Sequence, residues 1–512
     1  MDNQQLIELI EQLGDGKHVA QFCEEVAIEK YAQYEKSESK GDIDIAVTVA
    51  KQSILRTRYD DKSIARRLTN LSTMLGARHE RTGEVADLEE AIQIARQAVN
   101  STSTDHPYRA CCLNSLGNRL RSRYERTGEM ADLVEAIQIA RQAVNLTPPS
   151  HPDREVCLNN LGLMLERRYE QTGEMAELEE AIKVAKQSVD LAPPSHPDRA
   201  GRLNNLGLRL ESRYERTGEM ADLEEAIRTA RQAVNSTPTD HPNYPAFLSN
   251  LGNKLVRRYE RTREMVNLEE AIKVAKQSVD LAPPGHPDRE VCLNNLGNKL
   301  ERRYERTREM ADLEEAIRTA RQAVNSTPTD HPNRAGRLNN LGLRLESRYE
   351  RTGEMADLEE AIQTARQAVD STPTSHPDRA GRLSNLGNKL ERRYERTREM
   401  VNLEEAIKLA KQSVDLAPPG HPYHAGCLQN LGNRLRSRYE RTGEMADLVE
   451  AIQIARQAVD STPPSHPDRA GSLNNLGLML ERRYEQTGEM AELEEAIQIA
   501  RQAVNLTPTS HP

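Results

Sequence analysis

HPDRAGRLNNLGLRLESRYERTGEMADLEEAIRTARQAVNSTPTD, residues 196–240, is one unit of this chain, and His241-Pro242 opens the next. In its first half Leu203, Leu206, Leu210 and Tyr214 recur at spacings of three and four, the apolar stripe of one helix, with Pro197 where a first-turn proline belongs. In its second half Leu223, Ala226, Ile227, Ala230, Ala233 and Val234 form another stripe, which Pro238 closes. The unit is therefore a helical hairpin divided at Thr217-Gly218. Glycine there would usually supply a left-handed helix cap. Three copies carry Arg263, Arg308 or Arg398 instead, so the turn is expected not to require a positive φ.

Outward from that unit, His-Pro pairs recur every 45 residues from His106 to His511. A fixed period of this size predicts an all-α solenoid in which each hairpin buries its apolar face only against its neighbours. Following the Tyr-Glu marker from Tyr34 to Tyr484 gives about eleven antiparallel hairpins, the first degenerate. Residues 1–19 are expected to hold an N-terminal capping helix through Leu6, Ile10 and Leu13, residues 20–60 the degenerate hairpin, and residues 61–510 ten tandem units. Residues 511–512 begin a further repeat. The stripe of Ile497, Ala500 and Val504 is left uncovered, which predicts a continuation or a partner domain at that end.

Composition agrees with a thin, layered core. Only 37% of the 512 residues are hydrophobic, with no Trp and two Phe. The 70 Lys and Arg are outnumbered by 80 Asp and Glu, a net charge of -10, which argues against nucleic-acid binding as the main role. The first twenty residues lack the apolar core of a signal peptide and no stretch approaches a membrane span, so the chain reads as cytoplasmic.

Leu203, Leu206, Gly207 and Leu210, followed by Ala226, Ala230, Ala233 and Pro238, resemble the tetratricopeptide pattern of two antiparallel helices with small residues at the crossing. The likeness covers nearly the whole chain and implies a right-handed superhelical solenoid with a concave groove. Seven extra residues between Leu210 and Ala226 lengthen the first helix and turn, and four more follow Pro238. The LNNLG core preceded by His-Pro is similar to the long repeats of kinesin light chains. The YERTGEMADLEEAI stretch resembles arrays of fungal multidomain proteins, where they accompany a caspase-like (CHAT) peptidase domain or a signalling ATPase domain. Neither domain is present in these 512 residues.

Copies differ mainly at a few first-helix registers, which helical spacing places on one face with Gly201, Asn204 and Asn205. The resemblance assigns that face to the groove where extended peptides bind. Asn160, Asn205, Asn250, Asn295, Asn340, Asn385, Asn430 and Asn475 share one register there, and a column of amides can pair with peptide main chain of any sequence. The alternative is that each Asn bonds across to the neighbouring hairpin; either way these residues should be partly buried. Asn253, Asn298, Asn388 and Asn433 form a second, interrupted column. Selectivity would come from Arg257, Arg302 and Arg392, and from Arg209, Lys254, Lys299, Arg344, Lys389 and Arg434, favouring an acidic peptide unless nearby glutamates neutralise them within the helix.

Catalytic chemistry is not indicated. The histidines fall one per layer and read as helix-start residues, and the cysteines contain no CxxC pair, so no metal site and no cofactor are expected. Cys112, Cys157, Cys292 and Cys427 share one register and lie too far apart for disulfides. Glu224-Glu225 and its copies are adjacent acids at a helix start, and no phosphate loop or nucleophile signature occurs. Three functions are thereby expected in descending order: a scaffold for protein or peptide partners, the recognition arm of a larger effector, and an RNA-binding repeat.

Overall fold

The computed structural model describes residues 10, 12, 14 and 16–506, apart from 38, 152, 422 and 464–468. Among the described residues are 22 helices and no strands, an all-α helical-repeat solenoid. Two compact units divide the chain, Met1–Arg258 and Tyr259–Pro512. In the first unit, first helices such as Arg109–Thr127, Arg154–Thr172 and Arg199–Thr217 alternate with second helices Met130–Leu146, Met175–Leu191 and Met220–Asn235. The second unit repeats the alternation with Arg289–Thr307, Arg334–Thr352, Arg379–Thr397 and His424–Thr442, each followed by a helix that starts at Met310, Met355, Met400 or Met445. Of residues 1–19, where a capping helix is expected, only 10, 12, 14 and 16–19 are described; Lys17 already opens the helix Lys17–Ser37, and Ile10 packs fully buried with Cys23 and Ala27. Residues 511–512 lie outside the described residues.

The apolar stripes read from the sequence are the core. Leu203, Leu206, Leu210, Leu223, Ala226, Ile227, Ala230 and Ala233 are all buried, and alanines at the crossing let the two helices approach closely. One boundary differs from expectation: the first helix starts at Arg199, so Pro197 lies in the preceding turn. The His196 ring takes over part of the capping role, its Nδ1 accepting the Asp198 backbone N–H at 3.1 Å, and His151, His286, His331 and His376 do the same in their repeats.

The expectation about the intrahairpin turn is overturned. Gly218 has φ of 74°, and Arg263, Arg308 and Arg398 take the same left-handed conformation at 60°, 59° and 61°. The reason is geometric: the Arg308 N–H must reach back to the Tyr304 carbonyl, at 2.7 Å, to close the helix. Arg308 offsets part of the strain by setting its guanidinium 5.8 Å from the Tyr304 ring centroid, as Arg263 and Arg398 do over Tyr259 and Tyr394. Arg308→Ala should lower stability by about 0.5–1 kcal/mol, since it removes the ring contact and keeps the strain. Arg308→Gly should exceed the alanine variant by about 1 kcal/mol. Equal urea midpoints for the two variants would contradict this account of the turn.

Charged side chains bind one repeat to the next in two ladders. On the second helices, exposed pairs such as Arg96–Glu135, Arg141–Glu180 and Arg321–Glu360 bridge neighbouring repeats at 2.6–2.7 Å. In high dielectric each contributes at most about 1 kcal/mol. The other ladder is internal. Arg209, Lys254, Arg344, Lys389 and Arg434, at most 1% exposed, each meet a glutamate of the preceding repeat: Glu166, Glu211, Glu301, Glu346 and Glu391, at 2.7–3.3 Å. Burial raises the carboxyl pKa of Glu166, Glu301 and Glu391 and lowers the guanidinium pKa of Arg209, Arg344 and Arg434. Desolvation is thus the larger influence on both partners, and the ladder fixes how repeats stack more than it stabilises them.

Candidate functional site

The cations assigned to ligand selectivity do not line a groove. Arg209, Lys254, Lys299, Arg344, Lys389 and Arg434 are buried between repeats, because their register lies on the side of the first helix that packs against the preceding repeat. Nor are the Arg209, Lys254, Arg344, Lys389 and Arg434 pairs intrahelical, since the glutamate belongs to the preceding hairpin. Arg257, Arg302 and Arg392 are at the surface, about half exposed, and lie 2.6, 3.1 and 2.9 Å from Glu215, Glu260 and Glu350 of the preceding repeat.

The asparagine column is half-buried along its length, as expected. Its amides link repeats. The Nδ2 of Asn160 donates to Asn114 Oδ1 at 2.9 Å, Asn250 to Asn204 at 2.9 Å, Asn340 to Asn294 at 3.1 Å and Asn385 to Asn339 at 2.9 Å, with a longer bond of 3.4 Å from Asn205 to Asn159. These are the bonds of the across-hairpin alternative. Each uses one N–H of an amide that carries two N–H groups and a carbonyl oxygen, so ladder formation and main-chain recognition are chemically compatible. Asn298 and Asn388 of the second column accept from Arg344 and Arg434 at 2.6 Å. Asn433 Oδ1, in a repeat followed by Met479 instead of a cation, is buried without a partner. Asn475 is half-buried and Asn253 is partly exposed.

In the second unit these columns meet in a cleft of about 780 Å³. Asn340, Asn385, Asn388 and Asn430 line it, together with Asn339, Ser384, Gln429, His421, Tyr423 and His424. Its size is that of a pocket for a small ligand or a few peptide residues. The amide lining supplies donors and acceptors, and Arg382 lies 3.4 Å from Asp378 at its edge, so the cleft has little net charge. Sequence reasoning passed over Tyr423, His424, Ser384 and Gln429; the signal was their departure from the repeat.

Reactive chemistry finds little support among the other candidates. All six cysteines are unpaired, and burial pushes the Cys112 thiol up to about 11 and the Cys157 thiol to about 12, so both stay protonated at neutral pH. Among the described residues no group of three or more His, Cys, Asp or Glu is placed to hold a metal, and no helix is long and apolar enough to cross a membrane.

Comparison with curated proteins finds no sequence match. A putative kinesin light chain of Podosopora anserina with nearly identical TPR-like repeats is similar in structure at 20% identity, covering 43% of this chain and 96% of that one, with a TM-score of 0.32. Human IFIT1, solved as a dimer with m7Gppp-AAAA, is similar at 16% identity over 88% of this chain and 91% of that one, with a TM-score of 0.43. MamA is similar at 19% identity over 39% of this chain and 92% of that one, with a TM-score of 0.27. Likenesses with TM-scores this low carry no argument about this chain. The tetratricopeptide repeat model, by contrast, matches residues 64–108, 110–153, 156–198, 199–243, 291–333, 334–378, 424–468 and 469–512, well over half of the sequence. The chain belongs to the tetratricopeptide repeat family.

Proposed function

We propose that this array is a non-catalytic protein-interaction scaffold that holds extended peptide segments along its first-helix face. The observation that carries the reading is the half-buried amide column through Asn340, Asn385 and Asn430, which opens into the polar cleft of the second unit. Peptide main chain offers an N–H and a C=O at each residue, and a row of fixed amides complements it whatever the side chains. An acidic ligand is not favoured: Arg257, Arg302 and Arg392 already face glutamates, and an incoming carboxylate would have to displace these. The same pairing removes the unpaired basic track that a phosphate backbone needs. Unpaired thiols that stay protonated suit the reducing cytoplasm. Ser substitution at Asn340, Asn385 and Asn430 tests the reading, because position 115 carries Ser in that register and the array accommodates it. Partner affinity should fall while the fold persists.

A further inference from the structure

In a chain of near-identical repeats, the departures from the repeat at Tyr423, His424, Ser384 and Gln429 converge on one cleft. Tyr423 stands where Asp153, Asp198, Asp288, Asn333 and Asp378 stand in other copies; Tyr108 shares the register, but is half-buried and has Arg66 where Tyr423 has Gly381, and His424 stands where Arg154, Arg199, Arg289 and Arg379 do. The consequence for charge is the loss of one acid and one permanent cation. In the preceding repeat Arg379 holds two carbonyls at the second helix's end, Val369 and Thr372, whereas the His424 ring meets Ala417 O. Ser384 and Gln429 replace two successive asparagines of the partner column; Asn430 donates to the shorter Ser384 Oγ at 2.8 Å, and Gln429 turns to Ser472. Tyr423 remains 46% exposed. Its ring edge rests over Gly381, where a Cβ would lie 3.4 Å from Cε2, and its centroid is 5.5 Å from that of His421 at 45°.

We infer that Tyr423, backed by Gly381 and flanked by His421, is a subsite for an aromatic side chain of an extended peptide whose main chain pairs with Asn385 and Asn430. The inference rests on the main-chain reading above and adds to it a register: the repeat in which the tyrosine ring is exposed and backed by glycine, unlike Tyr108 with Arg66 in the place of Gly381. An exposed ring with a flanking imidazole offers offset or edge-to-face contact to another ring, and the near-neutral cleft gives no advantage to a charged side chain or a phosphate.

The absence of Trp from this chain makes the test direct. The probe is the capped peptide acetyl-Ser-Gly-Ser-Trp-Ser-Gly-Ser-amide, whose Trp emission and anisotropy are read without protein background as full-length protein is added. Binding should be saturable, should weaken about tenfold in Tyr423→Asp, and should weaken again when Leu replaces Trp in the probe. Tyr423→Asp restores the residue of Asp198 and Asp288, so the variant folds as those repeats do. If Tyr423→Asp binds like wild type while Asn385→Ser with Asn430→Ser does not, the aromatic subsite is wrong and the main-chain reading stands. If only the Asn variants retain binding, the main-chain reading is wrong and the aromatic contact stands. No binding of the Trp peptide to wild type, or its displacement by an oligouridylate, overturns the inference.

Discussion

Glu301→Ala is expected to destabilise the array by about 3 kcal/mol, at the lower end of the usual loss for half of a buried ion pair. Glu301 keeps 27% of its side chain exposed, but Arg344 has none and would be left with Asn298 as its neutral partner. Arg344→Met should instead leave stability unchanged or raise it by about 1 kcal/mol, because it removes the charge whose desolvation opposes folding and frees Glu301 to face water. The chain already accommodates Met in the register of Arg344, at Met164 and Met479, there with Arg121 and Arg436 in the place of Glu301. Urea unfolding of the two variants checks both signs. A repeat array is stabilised by nearest-neighbour interfaces, so the Glu301→Ala loss should concentrate at residues 289–352. Equal losses from the two substitutions would mean that the pair contributes as a unit, against this account.

The second large effect concerns the glycine of the LNNLG core. A Cβ on Gly387 would lie 2.9 Å from three atoms of the Arg434 guanidinium, which Glu391 and Asn388 hold in place. Overpacking of this kind costs about 1–3 kcal/mol, offset by roughly 1 kcal/mol of helix propensity. Gly387→Ala should therefore destabilise by about 1 kcal/mol net. At Gly432, where the facing side chain is Met479, the nearest atom to a Cβ is 3.6 Å away. Gly432→Ala should stabilise by up to about 1 kcal/mol. Combining Gly387→Ala with Arg434→Met should recover most of the loss, a coupling that a double-mutant cycle measures. Thermal unfolding that ranks the two alanine variants equally would rule out the guanidinium as the reason for the glycine.

The hairpins, the apolar stripes and the half-burial of the asparagine column were legible because each follows from spacing along one helix. The left-handed turn was not: the strain at Arg308 was weighed alone, whereas the helix-closing bond to Tyr304 and the ring contact are visible only in three dimensions. The buried cations were misplaced for a related reason. Helical spacing says which residues share a face, and does not say whether the next repeat covers it. A signal was nonetheless present between neighbouring copies. Glu166 precedes Arg209 and Glu346 precedes Lys389 by 43 residues, while Arg121 precedes Met164 and Arg436 precedes Met479 at the same interval. Variation that looked like groove diversity, Glu211 against Arg121, is thus matched to what stands in the following repeat. The cleft at Tyr423 was overlooked because the reading followed what repeats.

The measurement that bears most directly on the scaffold reading is the dissociation constant of a partner captured from the native source, for wild type and for the combined Asn340→Ser, Asn385→Ser and Asn430→Ser variant. Three amide contacts of about 0.5–1.5 kcal/mol each predict a loss of tenfold or more, with helical content unchanged by circular dichroism. An unaltered constant in a folded variant would contradict main-chain recognition by the column and return the amides to a purely structural role between repeats.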